Sequence, residues 1–447
     1  MHCSSSTPNR WIHPSLWGAI ALGLCWMALP APSCTAQSSL LAGTARRDIT
    51  PTAPVPMWGY GDRHASLSEG TLDPLSATAL VLQAGKRKLA IVALDLGRSP
   101  DEASLQNIRS RILNELGIRH SLIAASHTHH GPVVELTDRK GYGRGRFDAA
   151  VAYRNQLENA IVEAITEANG QLAPAKMANA SVELEGMNRN RHSKKTPAPV
   201  DRTLQLLRFD DESSGKPIAT VVNFTGHPTS VSSKILQFSS DFVGPMRQVL
   251  EKELGGLALF MQGAAGDISI DRGPNRDHVT YGELLGQHAL SQLRAMETKT
   301  VTDASIQVRE ERLTFASRTD FRNPLVQTAY SVAFFPELIA HFIEEYQEGI
   351  RPRVTVALLN EQIALVGVSG EFFCQHAMRL RERASVKQLF FFGYCNGYHQ
   401  YFPTIEGAAE GGYGADAQVA PAEVGAGEQV MNQALIRIEQ LRGKLTW

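Results

Sequence analysis

Leu122-Ile-Ala-Ala-Ser-His-Thr-His-His-Gly-Pro132 is the stretch on which the reading of this chain turns. Leu122 to Ala125 is a short apolar run, the pattern of a buried strand. It empties into His127, His129 and His130 and is stopped by Gly131 and Pro132. Neutral imidazole is a borderline ligand suited to Zn²⁺, so histidines this dense just past a strand end point to a metal site. In an extended backbone His127 and His129 project to the same side, so one can bind metal while the other handles protons beside it. A polar loop whose histidines satisfy backbone groups is the other reading of these residues.

Working outward, four more apolar runs repeat the device. Ile218 to Phe224 ends at Thr225-Gly-His-Pro-Thr229, and Leu257 to Met261 at Gln262-Gly-Ala-Ala-Gly-Asp-Ile-Ser269. Ile363 to Val368 ends at Ser369-Gly-Glu-Phe-Phe373, and Leu389 to Phe392 at Gly393-Tyr-Cys-Asn-Gly-Tyr-His-Gln-Tyr401. Each places glycine and a reactive side chain beyond a strand: His227, Asp267 and Ser269, Glu371, Tyr398 and Tyr401. Ligands of open α/β sheets gather at the carboxyl ends of strands, so neighbouring, largely parallel strands would bring these loops to one pocket.

The remaining chain supplies hairpins and helices. Ala79–Gln83 and Leu89–Leu94 read as a hairpin across Gly85-Lys86, and Val354–Leu359 with Ile363–Val368 as another across Asn360-Glu361. Leu105, Ile108, Ile112 and Leu116 fall at helical spacing with Gly117 as a stop. Further helices are expected over 148–168, 242–254, 281–296 and 423–442. Residues 318–348 are aromatic and partly helical, a segment suited to covering a site. In Met57-Trp-Gly-Tyr-Gly61 the glycines allow close backbone approach. The expected fold is α/β, with mixed sheets flanked by helices, a metal site at the strand C-terminal ends, and a single large catalytic domain over 40–447.

Composition sets limits. The 447 residues are 43% hydrophobic and 20% charged, with a formal net charge of −1. No basic stripe or acidic tail appears, which argues against a nucleic-acid partner, and no protein partner is evident. Arg10 precedes an apolar run from Leu16 to Leu29, with small residues through Ala36: a secretory signal over residues 1–36, or an uncleaved anchor. The expected location is secreted or periplasmic. Three of the five cysteines lie in that region, leaving Cys374 and Cys395 as one conceivable disulfide or as two small buried residues.

Two imidazoles, one carboxylate and an open position make a catalytic zinc centre, which lowers the pKa of bound water to about 7. His127, His227 and Glu371 supply that set. Arg191 or a tyrosine hydroxyl can steady the oxyanion, and His129 can carry the proton to the leaving group. There is no His-x-His-x-Asp-His, His-Glu-x-x-His, Walker loop or Gly-x-Ser-x-Gly elbow. Ser269, paired with a histidine from elsewhere, is the alternative nucleophile.

Taken together and in order, these pieces resemble the catalytic domain of the neutral/alkaline non-lysosomal ceramidases. The residues that carry the resemblance are Asp48-Ile-Thr-Pro51, Ser126-His-Thr-His129 with Gly131-Pro132, Asn190-Arg191 with Asp201-x-Thr-Leu204, His227, Gly266-Asp-Ile-Ser269, Gly370-Glu-Phe372, and Asn396-x-Tyr-x-x-Tyr401 with Thr404-x-Glu406 and Tyr413. The resemblance implies a zinc-dependent amidase acting on N-acylsphingosine, with one Zn²⁺ per chain held by His127, His227, Glu371 and Tyr401. It implies that His129, Arg191 and Tyr413 act around the scissile carbonyl, with Ser269 a further site residue. It also implies a lipid amide substrate met at a membrane surface. Departures are His130 in place of a small residue, Ser369 in place of a proline, and a Gly407–Gly412 segment without the usual Glu-Tyr and Gln-Arg pairs. The immunoglobulin-like domain of longer members is not expected after the closing helix. That leaves two alternatives: a zinc hydrolase of another amide or ester, and a non-catalytic lipid- or metal-binding protein.

Overall fold

Two sheets form the frame, and most of their strands are buried on both faces. The computed structural model describes residues 39–274 and 276–446. The signal segment expected over residues 1–36 lies outside them, and Gln37–Trp447 groups as one compact unit. The large sheet contains β1 (Leu40–Asp48), β2 (Ser76–Ala84), β3 (Arg87–Leu94), β4 (His120–Ala125), β5 (Ala173–Glu183), β6 (Thr203–Asp211), β7 (Pro217–Phe224) and β8 (Leu257–Gln262). Their order is β8-β7-β6-β5-β1-β2-β3-β4, with β7∥β8 and β3∥β4 parallel and the other pairs antiparallel. The small sheet runs β9 (Ile306–Arg312), β10 (Arg353–Leu359), β11 (Ile363–Val368) and β12 (Gln388–Phe392), with only β11∥β12 parallel.

The two sheets face one another. Leu80, Leu82, Leu122, Val221 and Leu259 of the large sheet share one core with Ala357, Leu365, Phe390 and Phe392 of the small one. Alternate residues of the same strands, such as Val81, Val92, Val356 and Val366, point outward into helices. Helix Asp148–Gly170 packs on β1 and β2, helices Val243–Leu254 and His278–Ala295 on β6 and β8, and helix Ala426–Leu441 on β9 and β10. With both faces covered, continuous apolar runs replace the alternation of a half-exposed sheet. Among the described residues, no helix is long and apolar enough to cross a membrane.

Local signals produce the expected elements. The Gly85-Lys86 turn closes β2 onto β3, with Gly85 at φ 56°. Asp101 caps helix Glu102–Leu116 by accepting from Ser104 N, and Gly117 ends it in the left-handed region at φ 68°. The hairpin of β10 and β11 turns through Asn360 and Glu361, both at positive φ.

One expectation needs correction. The five loop-bearing strands are not neighbours in one parallel set. β4 ends the large sheet on one side, β7 and β8 end it on the other, and β11 and β12 belong to the small sheet. The loops meet because the large sheet curls until β8 packs against β2, β3 and β4, and the small sheet lies across the gap. Sheet twist accumulated over many strands produces such curling.

A partly buried charge cluster locks a flanking helix to the small sheet. Arg109 grips Glu310 of β9 through two bonds of 2.8 Å, and Arg353 and Thr355 of β10 bind the same carboxylate. Burial alone would raise the Glu310 pKa, but Arg109 and Arg353 overcome it and hold it at about 2 against an ordinary 4.5. A depressed carboxylate contributes stability above its unfolded pKa and loses it as pH falls through the folded one. Glu310→Gln is therefore expected to cost about 2–3 kcal/mol at pH 7, read from denaturant unfolding. The gap to wild type should close as pH falls from about 4.3 toward 2.

Candidate metal centre

His127 leaves β4 in a left-handed turn, with φ 68°. That conformation is uncommon outside glycine and marks a position held by its surroundings. The backbone here is not extended, so the turn, rather than strand alternation, sends both His127 and His129 into one cavity. His130 turns away and is buried beside Arg63 and the Ser232 carbonyl.

The tautomers of two imidazoles follow from their partners. His127 Nδ1 lies 2.7 Å from the Gly97 carbonyl, and His227 Nδ1 lies 2.9 Å from that of Ala265. A carbonyl only accepts, so both Nδ1 atoms carry the proton and both Nε2 atoms present lone pairs. Those two Nε2 atoms face each other at 3.0 Å. Glu371 Oε2 lies 3.2 Å from the first and 3.6 Å from the second. Three buried acceptors thus converge with no donor among them, an arrangement that is costly without a cation. Ring nitrogens of His127, His129 and His227 also lie within 4.8 Å of one another, so these histidines can hold a metal ion. Glu371 and His129 both stand at a third corner, Glu371 through Oε2 and His129 with both ring nitrogens buried and without a partner.

Glu371 is itself oriented. Tyr398 donates to its Oε1 and Tyr394, at 3.4 Å, to its Oε2. A two-residue parallel ladder sets Glu371 opposite Tyr401. Arg191 Nη2 reaches Tyr401 Oη at 3.1 Å, His227 Nε2 at 3.2 Å and the Gly266 carbonyl at 3.0 Å. The Tyr413 ring stands edge-on to Tyr401, with centroids 5.6 Å apart. Burial, then Arg191 and His127, push the His227 pKa well below its ordinary value; burial, then His127 and Arg191, do the same to His129. Both rings are neutral, as a ligand or a proton acceptor must be. Burial and Glu371 hold the Tyr401 hydroxyl well above its ordinary pKa.

The predicted site residues separate into two groups. His127, His129, His227, Glu371, Tyr401 and Tyr413 meet at one place, with Arg191 reaching in beside them. Ser269 stands next to His227 by a backbone bridge. His227 Nδ1 donates to the Ala265 carbonyl and its Nε2 accepts from Arg191 Nη2, which leaves Ser269 no base there. Asp267 turns away, accepting from Cys374 N and Asn190 Nδ2, while its carbonyl holds Arg191 N at 2.8 Å. Cys374 and Cys395 are free and buried.

Three supporting groups escaped the sequence reading. The Gln262 carboxamide donates to the carbonyls of Ser126 at 3.0 Å and Gly226 at 2.8 Å, each one residue before a histidine. Its oxygen accepts from Gly226 N and Gly263 N, so every hydrogen-bonding position of the amide is used. Trp58 sets its ring edge-on to His127, His129 and Tyr398 and donates to Glu135. Gly97 makes room for that indole: a Cβ there would lie 2.1 Å from it. The close approach expected of the Met57–Gly61 glycines is real, since a Cβ on Gly59 would meet His129 at 2.6 Å.

The site opens into a cavity of about 290 Å³. Its inner end is polar, with His127, His129, Glu371 and Tyr401. Its outer walls are apolar, with Val133, Phe334, Leu338, Phe342 and Val419. The aromatic segment expected to cover a site does so through helix Pro336–Glu345 and the turn before it.

Comparison with known proteins follows the same lines. The family model described as neutral/alkaline non-lysosomal ceramidase, N-terminal, matches residues 40–283, more than half of the chain. His127, His129, Arg191, His227 and Ser269 fall inside that match; Glu371, Tyr401 and Tyr413 fall beyond it. Neutral ceramidase A of Dictyostelium discoideum is 28% identical over 268 residues, 53% of this chain and 37% of that protein. Neutral ceramidase of Pseudomonas aeruginosa is 26% identical over 285 residues, 57% of this chain and 40% of that protein. The matched region thus spans about two-fifths of these curated relatives. The crystal structure of the Pseudomonas aeruginosa neutral ceramidase superposes with a TM-score of 0.72 at 20% identity, covering 92% of this chain and 75% of that one, so the fold is shared.

Gln262 gives a direct test. Gln262→Ala leaves the carbonyls of Ser126 and Gly226 and the amide of Gly226 unpaired, while Gly263 N keeps the Phe224 carbonyl, and is expected to cost about 3 kcal/mol of stability. Because the backbones before both histidines are released, the rise in Tm on adding Zn²⁺ should shrink relative to wild type.

Proposed function

Since the chain belongs to the neutral/alkaline non-lysosomal ceramidase family, we propose that it is a zinc-dependent amidohydrolase that cleaves ceramide or a related N-acyl lipid amide to a fatty acid and an amine. The observation that carries this reading is the convergence of three buried acceptors on one point at the polar end of an apolar cavity. His127, His227 and Glu371 would hold the ion, with Tyr401 as the fourth ligand. Zinc supplies a Lewis acid there and acidifies water at neutral pH.

The remaining residues divide the work on the amide. The apolar walls take the acyl chain, which leaves the carbonyl at the polar end. Arg191 and Tyr413 donate to the oxygen as negative charge develops on it. His129, neutral and with both nitrogens free of partners, takes the proton released by the attacking water and delivers it to the departing nitrogen. Trp58 and Phe342 keep bulk water from the site, which strengthens each of these interactions. A secreted or periplasmic protein would meet such a substrate at a membrane surface.

Elemental analysis of purified protein, with fatty-acid release from ceramide measured with and without chelator, tests the reading. The expected result is about one zinc per chain and chelator-sensitive release. Zinc without release from ceramide would remove that substrate and direct the search to other amides and esters. No zinc would overturn the ligand assignment. His127→Ala should lose the metal and the activity together. Arg191→Ala should keep the metal while turnover falls about 10²-fold or more, the usual cost of an oxyanion donor.

A further inference from the structure

Apolar side chains that are more than half exposed are confined to one part of this surface. Among the described residues, the large apolar side chains above 50% exposure are Val332 at 81%, Leu325 at 79%, Tyr413 at 67%, and Ile405 and Val424 at 51%. All five fall within 325–332 and 405–424. Tyr330 of the first stretch donates to the Gln418 carbonyl of the second, and ahead of the first Ser317 bridges Ala422 and Arg318 N donates to the Pro421 carbonyl at 2.6 Å.

The first stretch runs on into the cavity wall at Ala333 and Phe334, and the second forms part of that wall through Tyr413 and Val419. Val332 is thus adjacent in sequence to a wall residue, and Tyr413 is both wall and surface. An exposed Leu or Val inside a surface helix or turn is ordinary when single, but a cluster continuous with a cavity marks a contact surface. The formal net charge of −1 supplies no general attraction to anionic lipid, so contact must come from apolar insertion.

We infer that the rim carrying Leu325, Val332 and Tyr413 docks on the surface of a lipid bilayer and inserts Leu325 and Val332 among the acyl chains. This rests on the lipid-amide reading above and gives that site its partner. A long-chain amide then passes from the bilayer over apolar side chains into the cavity without crossing water. Helix Pro324–Tyr330 is anchored for this role, with Asn323 capping it and Tyr330 buried beneath.

The test uses the full chain and zwitterionic phosphatidylcholine vesicles. Val332→Trp places a reporter at an exposed position. Its emission, taken as the difference from wild type, is expected to shift to the blue on adding vesicles and to be quenched by brominated acyl chains. A reporter unaffected by either would overturn the proposal, even if an N-terminal segment holds the protein on the vesicle. The double variant Leu325→Glu with Val332→Glu should slow hydrolysis of vesicle-borne ceramide about tenfold or more, the least expected from one aliphatic side chain kept out of the bilayer. Hydrolysis of a short-chain, water-soluble N-acyl amide should be unchanged. Equal loss on both substrates, or no loss on either, would also overturn it. If wild type hydrolyses neither substrate, the amidohydrolase reading fails, and the tryptophan reporter still decides docking.

Discussion

One buried carboxamide sets the geometry on which the site depends. Gln262 ends β8, and its side chain holds the carbonyls just before His127 and His227. Its own carbonyl accepts from Gly393 N at the exit of β12, so one residue binds three strand exits. The two histidines are 100 residues apart and sit on strands at opposite ends of the large sheet. Their Nε2 atoms meet at 3.0 Å only if both backbones are fixed, and a fully satisfied buried amide fixes them at low cost. An apolar residue of the same size would fill the space but leave three backbone groups without partners.

That precision works against the electrostatics of the apoprotein. Two lone pairs and a carboxylate oxygen are held together, while burial keeps the imidazole of His227 uncharged. Arg191 offsets part of the repulsion through a single guanidinium nitrogen shared among three acceptors. The fold therefore carries a local conflict that a divalent cation would resolve, with strain at His127 as its backbone signature. Such conflicts are characteristic of sites, because packing alone would remove them.

Much of the frame was legible in the sequence. Both hairpins and the helix capped by Asp101 and ended by Gly117 follow from local chemistry. So do the reactive strand exits, since a strand apolar on both faces must shed its polar residues at its end. The curl of the large sheet was not legible, because twist accumulates over strands whose order no local signal gives. Nor were Gln262 and Trp58, whose importance lies in partners more than a hundred positions or some seventy away. Tyr401 was legible as a reactive side chain at a strand exit, but its place among the ligands came from the resemblance alone, and its register opposite Glu371 depends on a ladder between two remote loops.

The three clustered histidines show how little adjacency says about role. His127 and His129 are two residues apart and share a cavity, yet one holds its Nδ1 on a carbonyl and turns Nε2 to His227 and Glu371, while the other has no partner at either nitrogen. His130 faces away from the cavity, where burial and then Arg63 lower its pKa to about 4. Arg63 in turn donates to the His129 carbonyl at 2.6 Å. The third histidine thus acts on the second only through an arginine and a backbone oxygen. A neutral ring can sit beside that guanidinium where a charged one could not, so His130 is tolerated here in its uncharged form. The density of imidazoles that first suggested a metal centre resolves into two rings that face the cavity and one that supports them from behind.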